Sequence, residues 1–379
     1  MPKNTDHNVF PFDLRNTGSR IAGESAFAEA MHHVNTDLPI GESLARGALL
    51  EVLECQDESQ GARLGALLVG SCRVATPEMI KGLVGAVSEF EGKDLSSLDK
   101  PSVNFGDGIV VGCAGSGKKG KKTINISTPA MIVAAAAGAK TLKAGSRSAS
   151  SVTGSTDILE SVGFVVPDTE YASTRILQET DFGFYSIEHH VPRFDSVYGN
   201  KFFAPHSLSF VLPALLIPVK VDTLLYGYAG PNVGLSSRAF AALGKKSVMV
   251  CTNTADGVHY IDEMATVGVT SISGVNDGVV GSDLRFDACE YLGIKNQKLP
   301  LIDSKMTVRE QSEIFKSVLS AEFPDSYAEK TICLNAATLL YLAKKCQSPV
   351  EGFEVAVDTI RSGRAYEKLL QIVKVSQNV

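Results

Sequence analysis

Apolar residues recur at helical spacing near the start of the chain, through Leu44, Leu49, Leu50, Val52 and Leu53, then Leu64, Leu67 and Leu68, then Ile80, Leu83, Val84 and Val87. Intervals of three and four place these side chains on one face of successive helices, so the pattern predicts a small helical unit. The last helix has a legible start: the Thr76 hydroxyl can cap free amides, Pro77 suits the first helical position, and Glu78 faces the positive end of the dipole. A polar lead of roughly twenty residues precedes the unit and is expected to fray. The stretch EGKDLSSLDKPSVNFGDG, 91–108, is polar and turn-rich and reads as a hinge or linker.

From residue 109 the pattern changes to short apolar or β-branched runs: IVVG at 109–112, AKTLK at 139–143, VDTLLYGYAG at 221–230 and KSVMVC at 246–251. Helical segments separate them, and that alternation predicts an α/β unit with a mostly parallel central sheet. The section from about 165 to 205, containing EHHVPRFDSVYGNKFFAPH, is rich in Pro, Gly and aromatic residues. This content argues against a strand within the sheet and for a lid or inter-domain region. Two segments, NAATLLYLAKKC at 335–346 and 350–375, return to helical spacing.

Composition narrows the picture in three ways. A chain of 379 residues that is 44% hydrophobic and 21% charged is ordinary for a globular protein and long enough for two domains. The formal net charge of −6 disfavours a general nucleic-acid binder, although GSGKKGKK at 115–122 is locally basic. The seven cysteines are scattered without a CxxC pair, which disfavours a zinc site or a disulfide framework. The first twenty residues lack a basic end followed by an apolar core, and the expected location is the cytoplasm.

The chemistry concentrates between Gly112 and Ser148. Gly112, Gly115, Gly117 and Gly120 let the backbone turn and approach a ligand, so that several N–H groups can converge on an anion. Asn125, Ser127 and Thr128 lie just before Pro129 and an alanine-rich helix, placing hydroxyls and free amides at a positive helix end. Lys143, Ser146, Arg147 and Ser148 follow the next strand, at the edge where open α/β sheets bind ligands. Together these residues predict a phosphate or diphosphate site. GxxxxGK[ST] is absent, so the site is no Walker loop. The lysines at 118, 119, 121 and 122 form either a ligand-responsive loop or a solvated crest.

GCAGSG at 112–117, NIST at 125–128, KAGSRS at 143–148 and the Asp262–Glu263 pair resemble the motifs of the anthranilate phosphoribosyltransferase family, along nearly the whole chain after about residue 20. The resemblance implies a helical domain at 21–95 with contributions from about 168–205. It implies an α/β domain at 100–167 and 206–379 that binds phosphoribosyl pyrophosphate, and dimers formed through the helical part. It further implies a magnesium-dependent transfer of 5-phosphoribose to a nitrogen of anthranilate or a related small aromatic amine. The diphosphate would be held by Gly112, Gly115, Ser116, Gly117, Asn125, Ser127, Thr128, Lys143, Ser146, Arg147 and Ser151, and Mg2+ by Asp262 and Glu263. The acceptor would meet His189, His190 and Asn200.

The departures from the family pattern are specific. Ser116 stands where an aspartate is expected, two extra residues with added lysines precede NIST, and Ala144 and Ser146 replace a His and an Asn. Asn200 stands where an arginine would meet an acceptor carboxylate, with Arg193 and Lys201 nearby, and an asparagine offers no bidentate cationic fork. SLSFVLPALLIP at 207–218 makes the acceptor pocket more apolar. The same residues leave open a nucleoside phosphorylase on this scaffold, or a nucleic-acid-binding relative without catalysis.

Overall fold

The computed structural model describes residues 25–97, 100, 107–148, 153–199, 201–295 and 306–379. The helical unit holds α1 (Ala26–Asn35), α2 (Glu42–Glu54), α3 (Gln60–Gly70) and α4 (Pro77–Glu91). The apolar positions that set its periodicity meet in one core: Leu49, Val52, Leu64, Leu67, Leu68, Ile80, Leu83, Val84 and Val87 are all buried. The Thr76 hydroxyl accepts from the Met79 amide at 3.1 Å, and Gly92 ends α4 in the left-handed conformation with φ of 75°.

One sheet organises the rest, in the order β3-β2-β1-β4-β5-β7-β8. Its central strands β1 (Val110–Gly115), β2 (Lys140–Gly145), β3 (Phe182–Ser186), β4 (Thr223–Gly227) and β5 (Ser247–Thr254) pair in parallel. An antiparallel extension continues through β6 (Tyr260–Ile261), β7 (Val269–Asn276), β8 (Val279–Val280) and β9 (Leu284–Phe286). Four strands were legible as β-branched or apolar runs. The strand β3 was not, because its sequence FGFYS alternates glycine and serine with aromatics. The reading of 165–205 as strand-free is therefore corrected: all five residues of β3 are buried, and Phe182 and Phe184 each meet Phe164 edge-on at 6.3 Å. Aromatic packing, rather than β-branching, holds this strand in the sheet.

The helix α5 (Ser127–Ala136) is apolar on every side and buried from Thr128 to Ala135. It lies between the sheet and a layer of C-terminal helices, Tyr327–Leu342, Pro349–Arg361 and Arg364–Ser376, which explains the missing polar face. Gly363, at φ of 82°, breaks the expected run at 350–375 into two helices. The opposite face of the sheet carries Val233–Ala242 and, against it, α4. Among the described residues no helix is long and apolar enough to cross a membrane.

Helical unit and sheet share one apolar core, and a buried carboxylate ties the unit to the segment that follows β3. Glu91, at the end of α4, accepts from the amides of Phe194 at 2.8 Å and Arg193 at 3.4 Å, at the start of a short helix, Pro192–Tyr198. These amides have no partner within their own helix, and a carboxylate there also meets the positive end of its dipole. Ser207 makes a second tie, donating to the Leu68 carbonyl at 2.8 Å. Glu91→Ala is expected to lower the free energy of unfolding by about 1–3 kcal/mol, the cost of stranding buried donors that had a charged partner. Glu89→Ala, which only breaks an exposed pair with Arg46, should cost less than about 1 kcal/mol. Urea titrations of both variants test this, and equal losses would show that the tie is dispensable.

Candidate functional site

The parallel register brings the C-terminal ends of four strands side by side. Gly115 sits opposite Gly227, and Gly145 opposite Ser186. Above them opens a cleft of about 430 Å³, walled on one side by the glycine loop, α5 and β2 and on the other by the 187–199 segment and Leu212, Pro213 and Leu216. Of the residues singled out from sequence, Gly115, Ser116, Gly117, Asn125, Ser127, Lys143, Ser146, Arg147, Asp262 and Glu263 line it.

The glycines serve Asp262. A Cβ on Gly115 would lie 2.4 Å from Asp262 Oδ2, and one on Gly227 would lie 1.7 Å from the Asp262 carbonyl oxygen. Only bare backbone at these two strand ends lets Asp262 enter the floor of the cleft. The Gly117 amide donates to Asp262 Oδ2 at 2.7 Å, and the Ser116 amide to the Gly227 carbonyl at 2.9 Å. The Ser116 hydroxyl accepts from the Ala229 amide at 2.9 Å. Loop amides expected to face an anion thus bind the protein itself.

The anion-directed donors come from the next element. The helix α5 begins at Ser127, two residues before Pro129, and Asn125 Oδ1 accepts from the Thr128 amide at 3.3 Å. Lys143 is 3% exposed, and its ammonium donates to Ser127 Oγ at 2.9 Å. An ammonium has three donors, so a buried one facing a cleft with a single bond among the described residues is set to receive an anion there. Helix end, hydroxyl and ammonium converge at this point.

Across the floor lie Asp262 and Glu263, each 6% exposed. Lys119 reaches back from the loop to both: its Nζ is 2.7 Å from Glu263 Oε1, 3.5 Å from Asp262 Oδ1 and 3.0 Å from Thr123 Oγ1. Burial and the neighbouring Asp262 push the Glu263 carboxyl up, while Lys119 and the Gly117 amide outweigh burial to hold Asp262 down. The donor set suits a hard divalent cation, since two buried carboxylates converge and Asp262 Oδ1 accepts no hydrogen bond among the described residues.

The four lysines divide. Lys118 donates to the Tyr198 hydroxyl at 3.1 Å and lies 5.3 Å from its ring centre, Lys121 pairs with Asp256 at 2.7 Å, and Lys122 lines the cleft.

Several expectations are corrected. Gly112 lies inside β1, where a Cβ would strike Leu224 at 2.7 Å, so it packs the sheet and does not line the cleft. Thr128 is fully buried in α5. Arg147 reaches the rim, yet its guanidinium holds Glu160 with two bonds of 2.7 Å. His189 and His190 face away: His189 approaches the Pro167 carbonyl at 3.3 Å and His190 approaches Glu170 at 3.5 Å, beside a separate depression. The short helix Ile187–His190 turns Ile187 and Glu188 into the cleft instead. Ser151 and Asn200 lie outside the described residues.

Sequence reading missed the aromatic wall of the cleft. Phe194 and Tyr198 stack at 4.7 Å and Tyr198 and Phe202 at 5.3 Å. The Tyr198 hydroxyl lies 2.8 Å from Nε2 of the buried His206, whose basicity is depressed by burial and then by Lys118. Asp195 lines the cleft beside this stack, and burial, with Glu188 nearby, raises its pKa. The available signal was the four-residue spacing of Phe194 and Tyr198, which marks one face of the short helix.

The model of a family described as the a/b domain of a glycosyl transferase family matches residues 107–366. An anthranilate phosphoribosyltransferase of Pyrobaculum aerophilum is 31% identical over 340 residues, 89% of this chain and 93% of that protein. Two solved structures share the fold. The anthranilate phosphoribosyltransferase of Thermus thermophilus superposes with a TM-score of 0.71 at 23% identity, covering 92% of this chain and 99% of that one. That of Saccharomyces cerevisiae, in complex with PRPP and Mg, gives 0.75 at 19% identity, covering 94% and 99%. Matched by the family model over most of its length and by a relative along nearly all of it, the chain belongs to the anthranilate phosphoribosyltransferase family of glycosyltransferases.

Proposed function

We propose that this enzyme transfers 5-phosphoribose from phosphoribosyl pyrophosphate to the nitrogen of a small aromatic amine, anthranilate or a relative, with Mg2+ at Asp262 and Glu263. The observation that carries this reading is the buried Lys143, bonded to Ser127 at the start of α5 in the same cleft as the carboxylate pair. The yeast relative's complex with PRPP and Mg supports it.

In this reading the amine lone pair forms the bond to the anomeric carbon as the carbon–oxygen bond to diphosphate breaks, and its electron pair leaves with the diphosphate. Positive charge grows on the sugar and negative charge on the leaving group, so positioning and charge compensation supply the acceleration. Magnesium, when bound, neutralises diphosphate oxygens. Lys143, the Ser127 hydroxyl and the amides opening α5 hold phosphate oxygens. Tyr198, Leu212, Pro213 and Leu216 seat the aromatic ring, and Asp195 accepts the proton that the amine loses. The carboxylates of Glu188 and Asp195 on that wall favour an acceptor presenting N–H donors.

Calorimetry with phosphoribosyl pyrophosphate should show binding to the wild type that strengthens with Mg2+, and an affinity loss of about tenfold or more in Asp262→Asn, which removes one charge facing the ion. No binding in either protein overturns the transferase reading, and thermal stabilisation by inorganic phosphate alone would favour a phosphorylase.

Steady-state kinetics probe the other wall. Asp195→Asn is expected to lower kcat by roughly 10²–10⁴ and to leave the KM for phosphoribosyl pyrophosphate unchanged. An unchanged kcat removes Asp195 from proton transfer.

A further inference from the structure

The Lys119 ammonium does what a bound cation would do for Asp262 and Glu263. It lies 2.7 Å from Glu263 and 3.5 Å from Asp262, with its side chain only 16% exposed. The loop is shaped to deliver it. Gly117 and Lys118 both take left-handed backbone, with φ of 63° and 57°, and the Gly120 amide donates to the Tyr260 carbonyl at 2.9 Å. A Cβ at Gly120 would lie 3.1 Å from the His259 backbone, so the loop folds closely onto this segment. Lys118 and Lys121, on either side, leave for Tyr198 and Asp256. One lysine of the cluster therefore enters the floor of the cleft, and two buried carboxylates share it.

Resting on the reading of Asp262 and Glu263 as the metal-holding pair, we propose that Lys119 is a resident cation in that seat. It withdraws when a divalent ion arrives with the diphosphate. Two carboxylates share a single ammonium, so whatever negative charge they carry beyond one is uncompensated on the floor. A diphosphate brought alone would meet that charge; a metal–diphosphate complex would not. The same loop that yields the seat carries the ammonium toward the incoming diphosphate, where a flexible stem and three donors suit it. Without the diphosphate, Lys119 competes with free divalent ions. This gives the ligand-free enzyme low affinity for the metal alone and makes metal and diphosphate bind cooperatively.

The test measures Mn2+ binding to the full-length protein in the absence of phosphoribosyl pyrophosphate, by electron paramagnetic resonance. Lys119→Met should bind Mn2+ about tenfold more tightly than wild type, or more, because a unit positive charge within hydrogen-bonding distance of the pair is gone. Lys121→Met, which removes a charge from the same loop but not from the seat, should leave the affinity within about twofold of wild type. The double variant Lys119→Met with Asp262→Asn should lose the gain. An unchanged or weaker affinity in Lys119→Met overturns the proposal, as does an equal gain in Lys121→Met.

Two carboxylates without their ammonium can also compromise folding. Lys119→Met that folds only with Mn2+ present supports the exchange, and failure to fold with and without the ion shows a purely structural lysine and overturns it. If wild type binds phosphoribosyl pyrophosphate with Mg2+ while Lys119→Met shows no gain, the exchange fails and the transferase reading stands.

Discussion

Two adjacent carboxylates buried at the end of a parallel sheet constrain everything around them. Asp262 and Glu263 lie in the floor of the cleft with scarcely any exposed surface, and like charges at such a site repel in a medium that screens poorly. The structure resolves this by surrounding them with donors, the Gly117 amide and the Lys119 ammonium, and by removing side chains from the strand ends that approach them. Gly115 and Gly227, paired across β1 and β4, are bare because Asp262 takes the space where their Cβ atoms would be. The glycine-rich loop is thus primarily the lining of a carboxylate site, and the start of α5 and the buried Lys143 ammonium face the cleft beside it.

That division accounts for the loop's altered sequence. With Ser116 in place of an acidic residue, the loop spends its hydroxyl and amide on the Gly227 and Ala229 backbone, and so fixes the turn mechanically. Of the added lysines, Lys119 then brings positive charge onto the pair. Loss of an acidic residue and gain of lysines both make the loop more cationic. The cleft keeps both a cationic wall at Lys143 and an anionic floor.

The second wall depends on a different constraint. The 187–199 segment is anchored through the Glu91 carboxylate to the helical unit, so this wall of the cleft is tied to the helices while the wall at Lys143 belongs to the sheet. Tyr198 touches both, through His206 below it and Lys118 across the cleft. Beneath these hydrogen bonds the helical unit, the 187–199 segment and the sheet share one apolar core that includes Leu83, Phe194, Leu142 and Leu224.

Much of this was legible beforehand. The helical unit, four of the five parallel strands, the start of α5 and Lys143 follow from periodicity, capping chemistry and motif spacing, because each is set by interactions within a few residues of chain, whereas the carboxylate pair was singled out only by its resemblance to a family motif. What the residues alone could not decide was direction. Adjacent lysines at 118 and 119 point to one wall and to the floor, adjacent residues at 188 and 189 face in and out of the cleft, and Gly112 and Gly115 make room for packing and for Asp262 respectively, within one strand. The strand β3 escaped notice because the aromatics that bury it meet Phe164 only in the folded chain. Composition and spacing determined which segments of the chain concentrate glycines, hydroxyls and cations. The sheet register and the turn of one loop decided which charges face each other across the cleft, since those are contacts between residues more than a hundred positions apart.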